Sequence, residues 1–129
     1  MKNLENLNLK TVLESLFNYS AGTFTNETNS GQYVVAFKSI EIKLQDIVDI
    51  SINEIVRIDH FISGVDSVGI WFNDGIAYVE HVKLFDCLLT AIQFGIRNKQ
   101  QCLYDFETGN TYKCSYTSDI HGNIYYQKY

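Results

Sequence analysis

The sequence predicts an α+β fold, a single domain over residues 1–129 built on a mostly antiparallel sheet. Three observations carry that prediction. Apolar residues recur at helical spacing near the N-terminus and again near 84–97. Elsewhere they alternate with polar residues at the period of two expected of half-buried strands. Turn residues, Asp74-Gly75 above all, separate those alternating runs closely enough for antiparallel neighbours to pair in sequence order.

At the start, Leu9, Val12, Leu13, Leu16 and Phe17 fall on one face of a helix. Thr11 and Glu14 have capping-box spacing, and Asn8 is a second cap for the same helix. Residues 20–31, SAGTFTNETNSG, read as a polar loop. Tyr33–Phe37 and then Ile40, Ile42 and Leu44 are strand-like. From Ile47 to Ile62 two readings compete. Ser51 and Glu54 have the spacing of a helix cap, whereas Val56, Ile58, His60 and Ile62 alternate as a strand would.

The segment GIWFNDGIAYVEHV, Gly69–Val82, is the most informative. Asp-Gly is a favoured pair for a type I′ turn, in which both central residues need positive φ. With Asp74-Gly75 as the loop, Asn73 faces Ile76, Phe72 faces Ala77, Trp71 faces Tyr78, Ile70 faces Val79, Gly69 faces Glu80 and Val68 faces His81. Alternation then gives the hairpin two sides. Val68, Ile70, Phe72, Ala77, Val79 and His81 share the apolar one, while Trp71, Tyr78, Ile76, Asn73 and Glu80 share the other.

Leu84, Phe85, Leu88, Leu89, Ile92 and Ile96 repeat at helical spacing, predicting a second helix near 84–97 with Arg97 and Lys99 at its C-terminus. A three-strand meander closes the chain: Cys102–Phe106, Thr111–Tyr116 and Ile124–Tyr129. In it Leu103, Asp105, Tyr112, Cys114 and Tyr116 share one face, with Cys102, Tyr104, Phe106, Lys113 and Ser115 on the other. Six of the nine tyrosines lie in the last 26 residues. Tyrosine suits strands and also protein interfaces, joining a large apolar face to a polar tip.

No apolar run approaches the roughly 18 residues of a membrane span. The first residues are too interrupted by Asn and Glu for a secretory signal, so a cytoplasmic location is expected, and Asn18-Tyr19-Ser20 and Asn26-Glu27-Thr28 carry no glycosylation meaning there. Proline is absent, and Asn, Ile, Lys and Tyr are abundant, a bias associated with AT-rich bacterial or phage genomes. The net charge is −5 and unevenly placed. In residues 41–80 eight carboxylates face only Lys43 and Arg57, a balance of −6, against zero for residues 1–40 and +1 for residues 81–129. Such a tract repels phosphate and attracts cationic surfaces, which argues against nucleic acid and for a basic protein as partner.

Catalytic constellations fail on geometry. Glu80-His81 and Asp59-His60 are sequence neighbours, and on a strand neighbours point to opposite faces; on a helix they diverge by about 100°. Cys87, Cys102 and Cys114 match no zinc spacing and read as reduced, buried thiols, with the meander separating Cys102 from Cys114. There is no glycine-rich phosphate loop and no nucleophile elbow, and His121-Gly122-Asn123 reads as turn chemistry. No catalytic residue, cofactor or metal is therefore expected.

The leading expectation is a small cytoplasmic protein-binding or inhibitor module for a basic partner, of the kind of an immunity protein that neutralises a nuclease-type toxin, with Trp71, Tyr78, Glu80, Asp74, Asp66 and Asp59 in the contact. A phage anti-defence inhibitor would have the same character. Two other classes remain. One is a small α+β enzyme or ligand-binding domain with a pocket between helix and sheet, drawing on His81, His60, Asp59, Asp105 and Tyr104. The other is a subunit of a larger assembly, joined through its aromatic strands.

Overall fold

A computed structural model describes residues 7–18, 21–25, 31–44 and 49–129, together with the backbone of Lys2–Asn3. The fold is α+β, with three helices and mostly antiparallel strands among the described residues. The elements are β1 (Lys2–Asn3), α1 (Leu9–Phe17), β2 (Gly22–Thr25), β3 (Tyr33–Lys43), α2 (Ile52–Ile62), β4 (Ser67–Asn73), β5 (Ile76–Phe85), α3 (Leu88–Arg97), β6 (Cys102–Asp105), β7 (Thr111–Ser118) and β8 (Ile124–Lys128). They fall into two compact units, Met1–Thr28 with Lys38–His81, and Asn29–Phe37 with Val82–Tyr129.

In the first unit the hairpin β4–β5 has the register that its turn predicts, from Val68↔His81 to Asn73↔Ile76. Asp74 and Gly75 both have positive φ, 52° and 75°, as a type I′ turn needs. The outer edge of β4 pairs antiparallel with β2, which in turn pairs parallel with β1. The polar-loop reading of 20–31 is thus corrected over Gly22–Thr25. Thr-Phe-Thr alternates, and Phe24 is buried opposite Val68, so the free edge of β4 turns a short polar stretch into a strand. Residues 26–30, and with them Asn26-Glu27-Thr28, lie outside the described residues, as do Tyr19 and Ser20.

Helix α1 is capped by Asn8, whose Oδ1 accepts from the Thr11 backbone N–H at 3.0 Å and from the Thr11 hydroxyl at 3.1 Å. Asn8 rather than the Thr11–Glu14 box therefore starts the helix. Helical periodicity prevails in the ambiguous segment: Ser51 accepts from the Glu54 N–H and opens α2, although Ile47 and Val48 lie outside the described residues. The strand-like alternation loses because it would put Val56 and His60 on the same face as Ile58 and Ile62, whereas Val56 and His60 are exposed and only Ile58 and Ile62 reach the core. That core gathers Val12 and Leu16 of α1, Ile58 and Ile62 of α2, Ile42 of β3, and Phe24, Val68, Ile70, Ala77 and Val79 of the neighbouring strands. Each large side chain buried there stabilises by about 1.5–3 kcal/mol.

In the second unit β3 pairs antiparallel with β6, and β6, β7 and β8 form the expected meander. Strict pairing in sequence order fails here, because Tyr33 and Val34 lie against Asp105 and Tyr104 rather than against the next strand along the chain. The second helix also starts later than its pattern predicts. Leu84 and Phe85 complete β5, Asp86 bends the chain, and Cys87 is the N-cap of α3. Both residues satisfy the helical spacing to Leu88 and Leu89, which is why periodicity alone overran the boundary. Ala91, Ile92, Val35 and Leu103 form this unit's core, with Phe94, Tyr112 and Cys114 packed on it. Gly95 lies in mid-helix directly over Cys114, where a Cβ would collide with the thiol sulfur.

No helix among the described residues is long and apolar enough to cross a membrane.

Candidate functional site: the outer face of the β4–β5 hairpin

Residues 71, 78 and 80 meet because of the register. Trp71 and Tyr78 are direct cross-strand partners on the side away from the core, and Glu80 follows Tyr78 on that same face. The indole and phenol rings stack with centroids 4.0 Å apart and planes within 10°. The indole N–H donates to Glu80 Oε1 at 2.9 Å, closing a three-residue cluster. Trp71 nonetheless remains 40% exposed, so the stack is a surface feature and not core. Tyr78 and Glu80 are half-buried. Burial pushes the Glu80 pKa above the usual range, and the indole hydrogen bond draws it only part of the way back. Among the described residues the only ion pair is Arg57–Glu54, at 3.7 Å, so Glu80 has no cation set against it there.

Asp74 is exposed in the tip of the same hairpin. Asp59 and Asp66 are exposed at a second place, a cleft of about 390 Å³ between the start of α1 and the end of α2, lined also by Leu7, Asn8, Ser63 and Val65. The hairpin thus unites Trp71, Tyr78, Glu80 and the turn carboxylate, while Asp59 and Asp66 belong to that cleft.

The acid–base candidates are otherwise engaged or lie apart. His81 is 8% exposed and stacks on Phe61 with centroids 4.1 Å apart; its Nε2 is 2.8 Å from the Phe61 carbonyl oxygen. His60 is exposed on the last turn of α2, next to the exposed Asp59. Tyr104 is exposed and meets Phe106 edge-on.

Asp105 is 1% exposed, yet four hydrogen bonds converge on it. Thr108 Oγ1 donates at 2.8 Å, the Glu107 N–H at 2.9 Å, Gln32 Nε2 at 3.1 Å and the Thr108 N–H at 3.3 Å. Burial alone would raise its pKa, but these donors outweigh that and hold the carboxyl below its usual value. It organises the β6–β7 loop and ties it to Gln32. The signal for this role was present in the spacing Asp105-Phe-Glu-Thr108, the pattern of a side chain accepting from the backbone two and three residues on. His121 lies in a turn organised in the same way by Asp119, which accepts from the His121 and Asn123 N–H groups.

The buried-thiol expectation is corrected. Cys87 and Cys102 are exposed and Cys114 is half-buried. Cys87 leaves the core because its position caps α3 instead of lying within it. Its thiol makes no full capping bond, yet the nearby Thr90 N–H and hydroxyl favour the thiolate and set its pKa below the usual value. Burial pushes Cys114 up to about 11. Strand parity separates Cys102 from Cys114: Cys102 pairs with Lys113, and Cys114 turns inward beneath Gly95. Among the described residues no three His, Cys, Asp or Glu side chains gather as metal ligands.

No known protein family, no curated protein and no solved structure matches this chain.

Proposed function

We propose that this chain is a protein-binding module that captures a basic protein on the outer face of the β4–β5 hairpin, acting in the cytoplasm as a small inhibitor of the immunity-protein kind. The observation that carries this reading is the exposed Trp71–Tyr78 stack, fixed by Glu80. Tryptophan and tyrosine are the side chains most often found at the energetic centre of protein interfaces, and a ring already held in place loses little entropy on docking. The excess of carboxylates in residues 41–80 supplies long-range attraction for a cationic surface, such as the phosphate-binding cleft of a nuclease. In this reading the protein works by binding and not by catalysis. His81 serves packing against Phe61, and Asp105 serves a loop.

The test is capture from a lysate of the native host by the immobilised chain, at low ionic strength and again at about 0.5 M salt, where screening shortens to a few ångströms. One basic protein should be held in stoichiometric amount, released by salt, and lost on Trp71→Ala. Failure of the wild-type chain to retain a basic protein at low salt would overturn the reading. So would equal retention by wild type and Trp71→Ala.

A further inference from the structure

The stacked rings and the carboxylate beside them define more than a sticky surface. The Trp71 and Tyr78 planes are parallel within 10°, and Glu80 Oε1 sits 2.9 Å from the indole nitrogen, at the edge of the same ring. A carboxylate that accepts one hydrogen bond on Oε1 keeps acceptor capacity on Oε2. A flat π surface and a carboxylate on its rim thus occur together on one exposed sheet face, within a stretch whose charge balance is −6.

We infer that the Trp71–Tyr78 stack and Glu80 form a seat for one arginine side chain of the basic partner, its guanidinium lying parallel on the outer face of the stack and donating to Glu80. This rests on the protein-binding reading and names the group that reading leaves open. The geometry selects arginine over lysine. A guanidinium is planar and weakly hydrated, and its forked donors can meet a carboxylate while its face covers an aromatic ring. A lysine ammonium is a compact, strongly hydrated point charge, which gains the ring contact or the carboxylate but keeps more of its water. An anionic or purely apolar group would place Glu80 under desolvation with nothing to compensate it. The charge complementarity is therefore local as well as long-range.

The probes are three nonapeptides, of arginine, lysine and the uncharged planar analogue citrulline, titrated at low salt against the emission of Trp71, the chain's single tryptophan. The arginine peptide should bind about fivefold more tightly than the lysine peptide, the scale of one exposed cation–π contact with a charged hydrogen bond, and citrulline should bind weakest. Glu80→Gln keeps an acceptor for the indole and should bring arginine down to the lysine level. Tyr78→Ala, checked for folding by circular dichroism, should do the same by unstacking the rings. Equal affinities for arginine and lysine overturn the seat, as does an arginine preference that survives Glu80→Gln. The two readings fail separately. A salt-sensitive basic partner captured by a chain that treats arginine and lysine alike leaves the module standing without the seat. An arginine preference in a chain that captures no basic protein leaves the seat and removes the module.

Discussion

Replacing Asp105 by asparagine keeps Oδ1 for the three N–H donors but removes the charge that strengthens those bonds and puts an amide nitrogen where Oδ2 accepted from the Thr108 hydroxyl, which should cost about 1–3 kcal/mol of stability at neutral pH. The pH dependence has a definite sign. A carboxyl whose pKa is depressed on folding contributes stability above its unfolded value, about 3.9, and loses it as the pH falls through the folded one. Urea titrations of wild type and Asp105→Asn should therefore differ most at pH 7 and converge in acid. Glu80 has the opposite sign. Its pKa is raised by burial, so its contribution is fully present below the unfolded value and is lost as the pH rises through the folded one. Glu80→Gln should accordingly be more stable than wild type at pH 7, and the gain should vanish in acid. The thiols separate just as cleanly: a disulfide reagent at mildly alkaline pH should modify Cys87 and Cys102 quickly and Cys114 slowly. The sequence puts Asp105 on the Leu103 face of its strand, but shows neither that this face is the inward one nor that four donors would meet there, because one of them, Gln32, comes from 73 residues away.

Helix α3 gives a substitution whose usual sign is reversed. Glycine to alanine inside a helix ordinarily stabilises by about 1 kcal/mol. At Gly95 the new methyl group meets Cys114 Sγ, so Gly95→Ala should instead destabilise by about 1–3 kcal/mol, as overpacked cores do. Denaturation of Gly95→Ala, Cys114→Ala and the double variant should show a favourable coupling, since removing the sulfur makes room for the methyl. Additive effects would mean that the helix and β7 do not press together at this point. The hairpin was the most legible element: Asp74-Gly75 fixes the loop, the loop fixes the register, and parity then places Trp71, Tyr78 and Glu80 together. Helix α2 was ambiguous because Val56, Ile58, His60 and Ile62 fit a period of two while Ser51 and Glu54 fit a cap, and only the position of the core decides. Strand β2 was hidden because its pairing is supplied by β4, more than 40 residues further along the chain.

For the chain as a whole, the uneven charge makes salt act in two directions. Eight carboxylates against two cations in residues 41–80 are an excess of like charge, of the kind that burdens a compact state by self-repulsion, and screening relieves that burden. Raising salt from about 0.01 M to about 0.15 M shortens the Debye length from about 30 Å to about 8 Å. The melting temperature should then rise while affinity for a cationic partner falls. A parallel fall in both would show that the acidic tract is compensated within the fold and is not free to steer. The charge bias and the two sides of the hairpin could be read before any coordinates, because both are one-dimensional patterns, whereas the exposure of the Trp71 side could not. The stack itself could not, since parity puts two rings on one side without fixing their planes. The C-terminal ribbon has a further consequence. Ser115–Ser118 of β7 and Tyr125–Lys128 of β8 are exposed on both faces, and none of them belongs to either buried cluster. Such a ribbon can fray without uncovering a core, so amide protons beyond Cys114 should exchange with solvent fastest among the strands, with protection climbing steeply at Leu103 and Cys114.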